Sequence, residues 1–113
     1  MSARNALLEA PPHAVENSLK ELGGRLRLAR LRRNLTVDDV AKKVGVGRCA
    51  VMGAEKGTLS TGIATHAGLL WAFGLLKDLD AVAESSRDSE GLVLARRHDR
   101  DRARTSTQLD NDF

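Results

Sequence analysis

Aromatic side chains are scarce in this chain. Trp71, Phe73 and Phe113 make up 3% of its 113 residues. A core with so few rings has to be built from Leu, Val and Ala, which suits packed helices better than a sheet sandwich. Proline occurs only at positions 11 and 12, and cysteine only at position 49. A single thiol makes no internal disulfide, so the fold does not depend on oxidation. No apolar run approaches the ~18–20 residues of a membrane span. The opening MSARNALLEAPPHAVENS lacks an extended apolar region, so no signal peptide is expected and the cytoplasm is the expected compartment. The three histidines, His13, His66 and His98, are scattered, and His66 has no second ligand at metal spacing. There is no glycine-rich phosphate loop, no pair of carboxylates in a catalytic setting and no Cys/His dyad. Neither enzymatic activity nor a cofactor is expected.

Charge is plentiful and unevenly placed. The net charge is +3, but between Ser18 and Gly57 ten Lys/Arg stand against four Asp/Glu. Between Thr58 and Ala95 two stand against five. The positive field therefore falls on one half of the chain, where a polyanion would be attracted.

That half contains the most informative stretch, LTVDDVAKKVGVGRCAVMGAEKG, from Leu35 to Gly57. Thr36 is a good N-cap, with Asp38 and Asp39 in the first turn where the helix dipole favours negative charge. Asp39 holds the N3 slot of a capping box, although Asp reaches back less well than Glu. Val40, Ala41 and Val44 form an apolar face at helical spacing. Gly45 suits a left-handed C-terminal position. Gly47 opens a second helix, Val51 and Ala54 continue the apolar face, and Gly57 closes it. The spacing is that of two short helices joined by a tight turn.

Residues 1–12 read as a disordered arm ending in Pro11-Pro12. A helix is expected from about His13 to Arg33, with Val15, Leu19, Leu22, Leu26 and Ala29 as its inward stripe. Gly23-Gly24 weakens its middle by ~1 kcal/mol per glycine, so one helix or two are both compatible with the pattern. After the Thr58–Gly62 loop, a helix over Ile63 to Phe73 is expected to turn Ile63, Ala67, Leu70 and Trp71 inward, with His66 on the more exposed side. Leu75 to Ala83 reads as a fifth short helix, with Leu76, Leu79 and Val82 on one face. The stretch 85–97 contains EGLVLARR, a short helix or a strand, and serves as a short dimerisation or packing extension. A strand would imply pairing with a second copy. Residues 98–113 are charged and polar, the signature of a disordered tail. Leu109 and Phe113 at its end suggest a short docking signal or nothing at all.

The Leu35–Gly57 stretch resembles the Xre family of helix-turn-helix regulators, related to phage repressors of the lambda and Cro kind, and the likeness extends over about Ser18 to Ala83. It implies an all-α fold, a five-helix lambda-repressor-like bundle over residues 13–84 with flexible N- and C-terminal tails. It further implies a sequence-specific transcriptional repressor that binds double-stranded DNA as a homodimer through Gly47–Lys56. Base reading would then fall to Arg48, Cys49, Ala50 and Gly53, with Arg48 able to bridge O6 and N7 of guanine. Phosphate contacts would fall to Arg30, Arg33, Val37, Gly47, Lys56 and Thr58. Within the family the likeness is to antitoxins of the HipB kind, carried by ELGGRLRLARLRRNLT, LLWAFGLLKDL, GLVLARR and the LDNDF ending. It implies a HipA-type serine/threonine kinase toxin as partner. The chain departs from the family pattern at Val37, where Gln is usual, and at Gly47, where Ser or Thr is usual. Cys49, Ala50 and Gly53 stand where polar residues are usual, and Ala54 where a larger apolar one is. A second reading follows from these departures: a protein-interaction module that keeps the fold with weak or lost DNA reading.

Overall fold

The computed structural model describes residues 5–111. The two chain ends lie outside the described residues, Phe113 and the docking-signal reading that needs it among them. The described residues are all-helical, with no strand. Helices run over Ala6–Glu9 (α1), His13–Arg32 (α2), Val37–Val44 (α3), Arg48–Lys56 (α4), Ile63–Ala72 (α5), Lys77–Asp80 (α6) and Ser89–Asn111 (α7), with a short 3₁₀ turn at Ser85–Arg87. By its contacts the chain divides after Leu79 into two units.

In the first unit, α4 is the central helix, packing against α2, α3 and α5. The core consists of Leu26 and Ala29 from α2, Val40 and Ala41 from α3, Val51 and Ala54 from α4, and Leu69, Ala72 and Phe73 at α5. Val51 and Ala54 are wholly buried. Small residues set the distance between α2 and α4. A Cβ added at Gly23 would lie 2.5 Å from the Glu55 carbonyl oxygen and 2.6 Å from that of Ala54. Gly23 is thus the contact point of an unbroken α2 rather than its weak point, and Ala54 is small because the helices touch there.

Three sequence expectations are corrected here. On α5 the buried residues are His66, Leu69 and Ala72; Leu70 packs against the core as expected, while Ile63 and Trp71 are exposed. This helix is apolar nearly all round, so periodicity does not select its buried face. His66 is buried, and its Nδ1 lies 3.1 Å from the Gly62 carbonyl. A carbonyl only accepts, so the ring donates from Nδ1 and steadies the start of α5. The fifth helix of the expectation shrinks to the four residues of α6, with Leu76 and Val82 exposed.

At the N-terminal end, Asn5 caps α1 by accepting from the Leu7 N–H at 3.1 Å. Part of the stretch read as a disordered arm is therefore helical. In the second unit, Ser89–Asn111, most of the stretch read as an extension and a disordered tail, forms one helix. Asp88 starts α7 by accepting from the Gly91 N–H at 2.9 Å. Glu90–Arg97 is helical, so pairing through a strand edge there falls away.

Candidate nucleic-acid interface

The turn between α3 and α4 is built from local hydrogen bonds. Thr36 and Asp39 complete a capping box: the Asp39 N–H donates to Thr36 Oγ1 at 3.0 Å, and the Thr36 N–H donates to Asp39 Oδ2 at 2.9 Å. The short Asp side chain does reach back. Gly45 takes a left-handed φ of 84° and its N–H donates to the Ala41 carbonyl. The Val46 N–H donates to the same carbonyl, which folds the chain sharply back. Gly47 then caps α4 in an extended conformation without a side-chain bond.

The capping box has a pH consequence. The hydrogen bonds from Thr36, the backbone one foremost, hold the Asp39 carboxyl below its usual pKa. A carboxyl depressed in the folded state contributes stability above its unfolded pKa of ~3.9. That contribution is lost as pH falls through the folded value. Asp39→Ala should therefore have a lower urea midpoint than the parent at neutral pH. The gap should narrow steadily on acidification through the carboxylate range. A gap independent of pH would show that the box contributes nothing through its charge.

At the start of α4, Arg48 and Cys49 are exposed and Ala50 is half-buried. The Arg48 side chain is 66% exposed, with Nε 3.8 Å from Asp38 Oδ1. Such a loose, solvated pair is worth well under ~1 kcal/mol and gives way readily to a better acceptor. An open groove of about 540 Å³ runs beside α4. One wall is Cys49, Ala50 and Lys56; the other is Thr58, Ser60, Thr61 and Thr65. The lining is more apolar than polar, with Cys49, Ala50 and Met52 facing four hydroxyls and one cation, Lys56, which is exposed. The Thr58 N–H is engaged with the Gly53 carbonyl at 2.9 Å, leaving its hydroxyl to the groove. Sequence reasoning misses Ser60, Thr61 and Thr65; a run of small hydroxylated residues after a basic helix is the signal that could have found them.

Several candidate residues turn out to serve the fold. Arg30 is buried, and its fork is occupied: Nε donates to Glu55 Oε2 at 2.8 Å, Nη2 to Glu55 Oε1 at 3.0 Å, and Nη1 to the Leu35 carbonyl at 2.9 Å. The Glu55 hydrogen bond holds its pKa above the usual arginine value. Arg30 is therefore committed to the interior and not to a phosphate. Arg33 donates to the carbonyls of Ala29 and Phe73, both at 2.9 Å, and lies 5.5 Å from the centre of the Phe73 ring. It closes the C-terminal end of α5, where cations are favoured. Lys43 does the same through the Ala72 carbonyl at 3.3 Å, with its ammonium over Trp71. Gly53 is half-buried and lines the same groove, where an added Cβ would come within 2.8 Å of Thr61 Oγ1. The Val37 side chain packs against the core, which leaves only its N–H, at the open start of α3, for an anion. Gly47 is exposed and offers its backbone alone.

The interface that remains brings together Arg48, Cys49 and Ala50 at one end of α4 with Lys56 and Thr58 at the other. The two ends are about 13 Å apart at 1.5 Å per residue. Among the described residues no cluster of His, Cys, Asp and Glu could hold a metal ion, and no helix is long and apolar enough to cross a membrane. No protein-family model and no curated protein matches the chain.

Proposed function

We propose that the first unit is a helix-turn-helix bundle of the lambda-repressor kind and that the protein is a sequence-specific DNA-binding repressor. The observation that carries this reading is the division of α4 into two faces. Val51 and Ala54 are wholly buried, while Arg48 and Cys49 are exposed at its start, beside a groove that holds Lys56 and four hydroxyls among small and apolar groups. In this reading α4 enters the major groove with its first turn, and Arg48 forms a bidentate pair with guanine. Lys56, Thr58 and the N–H groups of Val37 and Gly47 hold the phosphates. One such helix makes few base contacts, so the protein acts as a homodimer that places two copies about one DNA turn apart. As an antitoxin of the HipB kind it would also bind a HipA-type kinase. It is a binding protein, not an enzyme, and works in the cytoplasm.

A salt series on the DNA upstream of its own gene and on random duplex tests this. The expected result is a steep fall in affinity with salt together with a preference for the upstream site. Arg48→Ala should cost ~1–3 kcal/mol on the preferred site and little on random DNA. Equal losses on both would reduce Arg48 to a phosphate contact.

A second reading has one observation in its favour. The groove side of α4 carries Cys49, Ala50, Met52 and Gly53, so few groups can read base edges. A protein-interaction module would use this surface instead. Absence of any DNA binding at low salt, with binding of a partner protein retained, would establish it.

A further inference from the structure

The second unit contains a helix without a core. α7 spans 23 residues, and none of its described side chains is buried. Packing of an apolar face is what stabilises most helices in proteins, and α7 has no such face buried among the described residues. Its charges are ordered instead. Arg96, Arg100 and Arg104 step by four, and Arg97 lies beside them, so all four fall within an arc of about 100° at 3.6 residues per turn. Asp99 and Asp101 fall outside that arc, and Arg102 lies nearly opposite it. Among the described residues the only ion pair near this helix is Arg87 with Glu84, ahead of its start. None of the four arginines is paired with a described residue, although Asp101 stands four residues after Arg97. Like charges four apart weaken a free helix, so a polyanion lying along this stripe would relieve that repulsion.

We infer that the arginine face of α7 is a second DNA contact, which grips the phosphate backbone of a duplex without reading its sequence. The inference rests on the reading of the first unit as DNA-binding, because that reading supplies the duplex to which a second basic face would be tethered. Guanidinium groups suit this task, since each can offer two parallel donors to one phosphate. Three arginines spaced by about one helical turn, with Arg97 beside the first, present a row of such forks. The effect would be to raise affinity on every sequence and leave discrimination to α4.

The test uses the full chain, a random duplex and the DNA upstream of its own gene, each titrated over a range of salt. Arg96→Gln/Arg100→Gln/Arg104→Gln keeps helix propensity nearly constant. It should lower the slope of log affinity against log salt by roughly 2–3 on both duplexes, at about 0.9 per phosphate contact. Arg100→Gln alone should lower it by about one, and Arg102→Gln, with the same change of charge on the opposite face, by much less. Equal effects of Arg100→Gln and Arg102→Gln would mean general attraction and overturn the proposal. Unchanged slopes in the triple variant, with sequence preference intact, would also overturn it. They would leave the stripe to an acidic protein partner and the reading of α4 standing. Binding that depends on α7 yet shows no sequence preference, and no response to Arg48→Ala, would do the opposite, keeping the α7 contact and removing α4 as the reader. No binding to either duplex at low salt would remove both.

Discussion

Truncating Glu55 to alanine should cost about 3–5 kcal/mol, a large part of the ~5–15 kcal/mol that holds a domain of this size together. The Arg30 and Glu55 side chains are only 10% and 8% exposed. Without the carboxylate, the Arg30 guanidinium would keep its position and lose its countercharge. Its remaining acceptor would be the Leu35 carbonyl. A buried cation without a partner is far more costly than the pair was favourable, because desolvation is no longer offset. Arg30→Met should cost a similar amount, since it strands the Glu55 carboxylate, whose side chain is just as buried. Combining Arg30→Met with Glu55→Leu should recover much of the loss. What remains is the unpaired Leu35 carbonyl, worth about 1–3 kcal/mol. Urea unfolding of Arg30→Met, Glu55→Leu and the double variant gives the coupling directly. A loss below ~1 kcal/mol for Glu55→Ala would place the pair with exposed ion pairs and refute its role as the clasp between α2, α4 and the 33–36 corner.

That clasp explains part of what the sequence does not disclose. Helices α2, α3 and α4 are legible because their signals are local: a cap at Thr36, a left-handed glycine at Gly45, and apolar residues three and four apart. The fate of Arg30 and Arg33 is not local. Their acceptors lie 25 and 40 residues away along the chain, and nothing in RLARLRR separates an arginine that turns inward from one that faces water. The family resemblance assigns both to phosphates; Arg30 is spent inside, while Arg33 stays at the surface with its guanidinium engaged by the Ala29 and Phe73 carbonyls. The groove walls are half legible: the resemblance points to Lys56 and Thr58, while Thr61 and Thr65 come into place only when α5 folds back beside α4. The face of α5 is ambiguous because IATHAGLLWA is apolar on nearly every side, so His66 can turn in and Trp71 out. Residues 98–111 read as disordered because they lack an apolar stripe. α7 is the complementary case, a helix whose regularity lies in its charges.

Two glycines with nearly the same backbone separate conformational cost from packing cost. Gly45 and Gly57 have φ of 84° and 75°, and each ends a helix of the α3–α4 pair. A side chain at Gly45 would meet open space. A Cβ at Gly57 would lie 2.6 Å from both the N and the Cα of Lys20, in the backbone of α2. That backbone cannot yield as a flexible side chain could. Gly45→Ala should therefore cost only the left-handed penalty, about 1–2 kcal/mol. Gly57→Ala carries the same penalty and also forces α4 away from α2, which adds roughly 1–3 kcal/mol for overpacking. The displacement would act at the most closely packed crossing of the fold, near Gly23 and Ala54, and would loosen the Arg30–Glu55 clasp as well. Thermal unfolding should show the Gly57 variant melting well below the Gly45 variant. Each additional kcal/mol should lower the midpoint by about 4–8 °C in a unit of this size. Equal midpoints would mean that α2 and α4 do not approach as closely as described, and that Gly57 is required for its dihedral angle alone.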